Sequence, residues 1–151
     1  MLAKSILIAT PATFDGAQPQ PILPRWVRKG VPVTRTWNVV RSHDLTSDVV
    51  VWECTAGTFE CRYTKDETVM VVSGEVFITN EKGEEQRLGP GDLGFFPAGT
   101  SCIWRVPVCV RKIAVLRETI WSPFGFGLKV WKRLRRMATS PRGEPAGGLS
   151  T

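Results

Sequence analysis

The chain has 151 residues, a length that fits one domain, and its 42% apolar and 23% charged residues are an ordinary globular balance. Four cysteines are too few for a disulfide scaffold, and no apolar run approaches the roughly 20 residues that span a bilayer. The apolar run at 6–9 also ends too early for a secretory leader, so we expect a cytoplasmic protein with reduced thiols.

Residues 1–35 are predicted to form an arm that lies on the domain. Five prolines interrupt this stretch and break any helix, and no periodic pattern of apolar residues runs through it. One edge strand at Ser5–Ala9 is the element that the composition favours.

Residues 36–120 are predicted to be a barrel of short strands. Runs rich in Val, Ile, Phe and Trp alternate with turns that contain Gly, Asn or Asp, and no internal repeat is visible. Many short strands at even spacing are typical of a sandwich or barrel. The predicted strands are Val39-Val40, Asp48–Cys54, Thr68–Val72, Glu75–Thr79, Leu93–Phe96, Ser101–Val106 and Val110–Leu116.

Residues 121–137 are predicted to contain a short amphipathic helix, followed by a disordered tail at 138–151. Five basic residues within 129–136 account for most of the net charge of +6, and an apolar stripe containing Trp131 recurs every three residues. We favour packing of the stripe at 128–137 on protein. Contact with an anionic membrane surface is the alternative, and no nucleic-acid partner is expected.

Two motifs identify the fold. In the first, Glu67 is followed by an apolar run to the turn at Gly74. In the second, Gly91-Asp92 makes a tight turn into a buried strand, Pro97-Ala98-Gly99 turns the chain out of it, and the next strand begins near Cys102.

These motifs resemble the two signatures of cupins, which implies an all-β fold: a double-stranded β-helix or jelly-roll barrel, here with a short basic C-terminal helix. Within cupins the pattern is similar to the class that contains ureidoglycine aminohydrolase and the ethanolamine-utilisation protein EutQ. The residues that carry this resemblance are Trp52, Gly57-Thr58-Phe59, Tyr63, Glu67, Gly74-Glu75-Val76, Gly91-Asp92, Phe96-Pro97-Ala98-Gly99, Cys102, Trp104, Val106 and Val110-Arg111-Lys112.

The resemblance implies a metal position whose usual ligands this chain lacks. Typical cupins hold Mn, Fe, Ni or Zn with three His and one Glu, and the equivalent positions here are Cys61, Tyr63, Glu67 and Cys102. The single histidine, His43, lies outside both motifs in a polar turn that we expect to be exposed. We therefore expect no metal; the alternative is Zn held by Cys61, Glu67 and Cys102. Both cysteines are otherwise small buried apolar groups.

The candidate catalytic residues are Glu67, Tyr63 and Lys112. Glu67 is expected to face the barrel interior, as a general acid or base, with Lys112 or Arg105 as a hook for an anion. A structural ion pair between Glu67 and Lys112 or Arg111 is the competing interpretation. The predicted ligand pocket is lined by Cys61, Phe96, Cys102 and Trp104, with Trp52 and Phe59 as further aromatic candidates.

Three functions compete. The favoured hypothesis is a barrel without a metal that binds a small anionic or amide-bearing metabolite. The second is an enzyme, aminohydrolase-like or with other small-molecule chemistry, that uses Glu67. The third is a structural or regulatory dimer without chemistry. The sequence does not decide whether the protein is an enzyme, and a homodimer is expected because an unpaired strand edge recruits a partner.

Overall fold

The computed structural model of the chain describes residues 5–13 and 15–119, and these residues form an almost purely β structure. The strands are β1 (Gln18–Pro19), β2 (Val27–Gly30), β3 (Thr34–Arg41), β4 (Ser47–Arg62), β5 (Asp66–Gly74), β6 (Val76–Thr79), β7 (Glu85–Leu88), β8 (Leu93–Phe96) and β9 (Ser101–Arg117). One 3₁₀ turn at Pro24–Trp26 precedes β2. No helix in the described ranges has the length and apolar character that a membrane crossing requires.

All strand pairs are antiparallel, and the two long strands β4 and β9 organise the sheet. Strands follow one another in the order β1-β3-β4-β9-β5-β8, while β2 adds to β4 and the β6-β7 hairpin adds to β9. β4 and β9 pair almost end to end, from Ser47 opposite Arg117 to Arg62 opposite Ser101. The all-β prediction is confirmed, and β8 has the bounds that the sequence predicted.

Bulges decide which side chains of β4 face the interior. Successive residues of a strand point to opposite faces, so even-numbered Trp52 and Cys54 point inward together. The register with β9 shifts between Thr55 and Gly57, where one residue of β4 corresponds to two residues of β9, and the alternation on β4 reverses across this bulge. Beyond the bulge the odd-numbered Phe59 therefore points inward, so one strand supplies interior side chains of both parities.

The turn after β5 requires glycine at position 74. Gly74 has a φ of +74°, and an ideal Cβ at this position would lie 1.9 Å from the carbonyl oxygen of Cys109. Both the left-handed backbone and the close approach of β9 exclude a side chain. The glycine of the first motif is thus fixed by the contact between the β5-β6 turn and the middle of β9.

Two adjoining groups of buried side chains fill the interior. The larger contains Cys54, Phe59, Tyr63, Val71, Val76, Ile78, Cys102, Trp104, Val106 and Val110, and the smaller contains Val50, Val69 and Ala114. Phe96 packs against both groups. Burying one Val, Ile or Phe side chain contributes about 1.5–3 kcal/mol, so these buried groups are the main stabilising element of the fold.

Several predictions need correction or lie outside the described residues. The described residues Ser5–Ala9 form no strand; β1 and β2 form instead within the proline-rich arm, which antiparallel neighbours hold in place. β9 is one strand rather than two. His43 is exposed in a turn, as predicted. The helix predicted at 128–137 and the tail at 138–151 lie outside the described residues and stay predictions.

Candidate functional site

A pocket of about 310 Å³ opens into the interior of the sheet. Its wall combines strands β3, β4, β5 and β9 with the arm that precedes β2. The lining residues are Gln20, Pro21, Ile22, Leu23, Trp26, Thr36, Asn38, Val50, Trp52, Phe59, Glu60, Cys61, Arg62, Tyr63, Glu67, Trp104, Lys112, Ala114 and Leu116. The volume is at the small end of the range for ligand pockets, which suits a small metabolite.

An ion pair between Lys112 and Glu67 is the polar centre of the pocket. Lys112 Nζ lies 2.5 Å from Glu67 Oε1, and only 7% of Lys112 is exposed. Alternation along β9 turns Lys112 inward between Val110 and Ala114, and the odd-numbered positions of β5 turn Glu67 to the same side. Of the two candidate partners on β9, Lys112 therefore pairs with Glu67.

The other candidate cations lie elsewhere. Arg111 points to the opposite face of β9, where it forms a 2.6 Å salt bridge with Glu53. Arg105, the second candidate for an anion hook, is exposed and pairs with Glu85 at 2.7 Å. Neither arginine lines the pocket.

Two tryptophans hold the ammonium group of Lys112. Its Nζ lies 4.4 Å from the ring centroid of Trp104 and 4.9 Å from that of Trp52. The two rings meet edge to face with centroids 5.7 Å apart. Trp52 is directly opposite Lys112 in the β4-β9 register, which explains why its ring reaches the lysine. A cation near two aromatic rings is stabilised by both, so the pocket favours positive charge at this point.

Tyr63 connects the aromatic wall to the cysteines. It follows β4, and its backbone is fixed by hydrogen bonds with Thr100 and Gly99 in the second motif. Trp104 Nε1 donates a 2.9 Å hydrogen bond to Tyr63 Oη, which lies 3.5 Å from Cys102 Sγ. Burial raises the pKa of the Tyr63 hydroxyl, and the neighbouring thiols raise it further. Tyr63 is therefore a neutral group that positions Trp104.

The described side chains do not form a ready metal site. Burial raises the pKa of the Cys61 and Cys102 thiols, so a metal would have to displace their protons before it could bind them. Glu67 already holds the ammonium of Lys112, and a second cation beside it would be repelled. Among residues 5–13 and 15–119, no three His, Cys, Asp or Glu side chains are grouped closely enough to hold a metal ion.

The rim of the pocket carries a cluster of three charges. Glu60 accepts a 2.6 Å hydrogen bond from Arg62 and another of 2.6 Å from Arg28. The bonds from Arg62 and then Arg28 lower the pKa of the Glu60 carboxyl. Two guanidinium groups share one carboxylate, so this part of the rim is positive.

Five of the seven side chains predicted for the site line the pocket: Glu67, Tyr63, Lys112, Cys61 and Trp104. Phe96 and Cys102 do not line the pocket. Phe96 stacks on Tyr63 with ring centroids 4.8 Å apart, and Cys102 is buried beside the same tyrosine. Whether any of these residues binds a ligand is untested and stays a prediction.

The arm supplies a part of the pocket wall that the sequence pattern does not indicate. Ile22 packs against the larger buried group, and the chain next to it is tied to β3 by a backbone hydrogen bond from Gln20 to Thr34. The hydroxyl of buried Thr34 also donates to the carbonyl oxygen of Gln20. Two apolar residues between prolines, Ile22 and Leu23, give no periodic signal, so only the structure reveals their role.

The antiparallel strands and the pocket in their interior are those of a cupin-domain protein. Residues 41–114 match the family model of the EutQ-like cupin domain, so this part of the chain is similar to the EutQ-type domain. A search of curated proteins found no match.

Solved structures agree on the fold. A Pseudomonas syringae protein of the DUF861 family is 24% identical with a TM-score of 0.62, over 66% of this chain and 43% of that one. This chain thus spans less than half of the Pseudomonas protein. The EutQ protein of Salmonella typhimurium is 23% identical with a TM-score of 0.52, over 58% of this chain and 72% of that one. The EutQ protein of Clostridium difficile gives 24% and 0.52, over 60% and 71%.

Proposed function

We propose that the protein binds a small anionic or amide-bearing metabolite in the pocket, without a metal. The observation that carries this proposal is the Lys112–Glu67 pair, which is enclosed by tryptophan rings and yet lines a cavity large enough for a small molecule. Placing two charges in an apolar interior costs several kcal/mol for each ion, so a purely structural role is an expensive use of them.

The chemistry of the pair indicates which ligand groups it would recognise. An ammonium group has three donors and a carboxylate accepts through two oxygens, while the pair itself uses one of each. Both residues line the pocket, so the remaining donors and acceptors are available on that side. A ligand group with an acceptor next to a donor, such as a carboxamide or a ureido group, would bond to both at once. A carboxylate would bond to Lys112 and to the positive rim.

The proposal is tested by a thermal-shift screen of small amides, ureas and carboxylic acids, followed by calorimetric titration of the strongest compound. Charge-assisted hydrogen bonds contribute about 1.5–3 kcal/mol, so we expect Lys112→Met to weaken binding by roughly 10- to 100-fold. Lys82→Met is the matched control because Lys82 is exposed in the turn between β6 and β7, and it should leave affinity unchanged. Equal affinity in the wild type and Lys112→Met would contradict the proposal.

Absence of a metal is a separate part of the proposal. Elemental analysis of protein purified without chelators should find no stoichiometric Fe, Mn or Ni. One Zn per chain that is lost in Cys61→Ala would instead favour the alternative site at Cys61, Glu67 and Cys102. Metal bound in proportion to the protein would also favour the hypothesis of an aminohydrolase-like enzyme, in which Glu67 acts as general acid or base.

We further propose that the protein is a homodimer, paired through the edge at β8. This strand ends the main path of the sheet, and Leu93 and Phe95 on it are 65% and 59% exposed. Met70, opposite Leu93 on β5, extends the same apolar surface. An apolar strand edge recruits a partner strand or face. Light scattering at tens of micromolar should give twice the mass of one chain, and Phe95→Lys should give the mass of a monomer. A monomeric wild type would refute this proposal.

A further inference from the structure

Lys112 is a primary amine in a setting that supports covalent chemistry. It is buried on the wall of a pocket, its Nζ lies 2.5 Å from a carboxylate, and two tryptophan faces enclose it. Lysines desolvated in apolar pockets are the residues that form Schiff bases with carbonyl compounds. Such a lysine needs a base that removes its proton and later returns it, and Glu67 is placed to do both.

We propose that Lys112 forms an iminium adduct with a small aldehyde or 2-oxo acid. This inference uses the same pocket as the proposed function but adds a covalent bond to it. Lys112 gives a proton to the Glu67 carboxylate, and the neutral amine attacks the carbonyl carbon. A C–N bond forms as the C=O π bond breaks, and Glu67 returns the proton to the new alkoxide.

Dehydration completes the adduct. The nitrogen of the carbinolamine loses a second proton to Glu67, which passes it to the hydroxyl group, and that group leaves as water. The products are a C=N⁺–H iminium and one water molecule, and Glu67 is again a carboxylate. No oxidant or reductant is consumed, and the charge of the site is the same before and after the reaction.

The site stabilises the product as well as the free lysine. The iminium carries its positive charge at the position of the ammonium, 4.4 Å and 4.9 Å from the centroids of Trp104 and Trp52 and next to Glu67. A cation at this point is favoured by both ring faces and by the carboxylate. Because these groups are already in place, the ammonium at the start and the iminium at the end meet the same charges around them.

The pocket sets the class of carbonyl compound. A volume of about 310 Å³ admits a small substrate, and apolar walls accept a short alkyl chain. The Glu60 cluster with Arg62 and Arg28 gives the rim a positive charge. Among carbonyl compounds of equal size, one with a carboxylate is therefore expected to react faster than a neutral aldehyde.

Reductive trapping tests the inference directly. The full chain is incubated with glyoxylate or propanal and sodium cyanoborohydride, which converts an iminium into a stable secondary amine, and each modified lysine is then located by mass spectrometry. We expect Lys112 to be labelled at least tenfold faster than exposed Lys82, with a rate that saturates in glyoxylate. Mapping on the wild type needs no variant and is unaffected by any loss of folding.

Two variants separate the chemistry from the accessibility of the lysine. Glu67→Gln keeps the size of the side chain but removes the base, so labelling of Lys112 should slow at least tenfold. Lys82→Arg should leave the labelling of Lys112 unchanged. Labelling of Lys112 no faster than that of Lys82 overturns the inference. If small amides still bind saturably in that case, only the covalent step is wrong; if they do not bind either, the proposed function fails with it.

Discussion

Replacing the two members of the buried ion pair, singly and together, separates a ligand-binding role from a structural one. Lys112→Met removes the ammonium group but keeps an unbranched side chain of similar length, and it strands the Glu67 carboxylate in the interior. Removing one partner of a buried pair costs about 3–5 kcal/mol, because the remaining charge has lost its compensation. For a domain of this size that corresponds to a fall in Tm of roughly 6–20 °C.

The double variant Lys112→Met/Glu67→Gln removes the stranded charge, and its stability should return to near the wild-type value. Replacing a whole buried pair with neutral groups is often neutral or stabilising by about 1–4 kcal/mol. Glu67→Gln alone should be the milder single change. Its amide oxygen still accepts a hydrogen bond from Lys112, and the rings of Trp52 and Trp104 still hold the cation, with about 0.5–2 kcal/mol for each contact.

Urea unfolding followed by tryptophan fluorescence measures these differences, and a constant slope m shows that only stability has changed. Lys82→Met, at an exposed turn, should remain within about 0.5 kcal/mol of the wild type. We expect Lys112→Met, Glu67→Gln and the double variant all to bind the ligand more weakly than the wild type. The double variant should do so even though its stability is near that of the wild type. A double variant that is as unstable as Lys112→Met, yet binds ligand normally, would show that the pair serves the fold.

Three further predictions follow from the interior. Tyr63→Phe leaves the buried Nε1–H of Trp104 without its acceptor and should cost about 1–3 kcal/mol in urea unfolding. No loss of stability in this variant would contradict the hydrogen bond. Burial raises the pKa of the Cys54 thiol from 9.0 to about 12. The stability that the buried, neutral thiol contributes is therefore fully present below pH 9 and falls between pH 9 and 12, by up to about 1.4 kcal/mol per pH unit, because the thiol of the unfolded chain ionises there. Cys54→Ala should flatten this alkaline loss of stability, and an unchanged pH profile would refute the assignment. Gly74→Ala should prevent stable folding, as measured by circular dichroism, because the new Cβ would lie 1.9 Å from a carbonyl oxygen. The control Gly83→Ala, with φ +83° and nothing within 4 Å, should cost only about 1–2 kcal/mol of backbone strain. Equal effects of the two substitutions would contradict the packing of the turn at Gly74.

The sequence predicted the strands whose residues have strong β preference and missed those that depend on a neighbour. β8 was predicted with its observed bounds because an apolar run lies between two glycine-containing turns. β7 is Glu-Gln-Arg-Leu, which has no such preference, and it is a strand because it pairs with β6. Tertiary pairing of this kind overrides local propensity and is invisible in the residues themselves.

β9 was predicted as two strands, Ser101–Val106 and Val110–Leu116, and is one strand in the structure. It contains Pro107, and proline cannot donate to a strand ladder. In the structure Pro107 and Val108 form a bulge on β9, between the pairs Gly57–Val106 and Thr55–Cys109. No ladder donor is needed there, so the strand runs through, and inward-facing positions resume at Val110 and Lys112.

The candidate site was predictable in its centre but not at its rim. Glu67, Tyr63 and Lys112 were found because they lie in or beside motifs with a known resemblance, and the structure brings all three to one pocket. Phe96 and Cys102 were predicted for the pocket because their positions face inward, but neither side chain lines the cavity. The contribution of the arm, including Ile22, depends on contacts between distant segments that no local pattern records.

A crystal structure of the protein soaked with the tightest amide or carboxylic acid from the thermal-shift screen tests the central claim most directly. We predict electron density for the ligand inside the pocket, with an acceptor atom within hydrogen-bond distance of Lys112 Nζ and, for an amide, a donor facing the Glu67 carboxylate. A ligand bound elsewhere, or a metal ion coordinated by Glu67 with Lys112 displaced, would contradict the account.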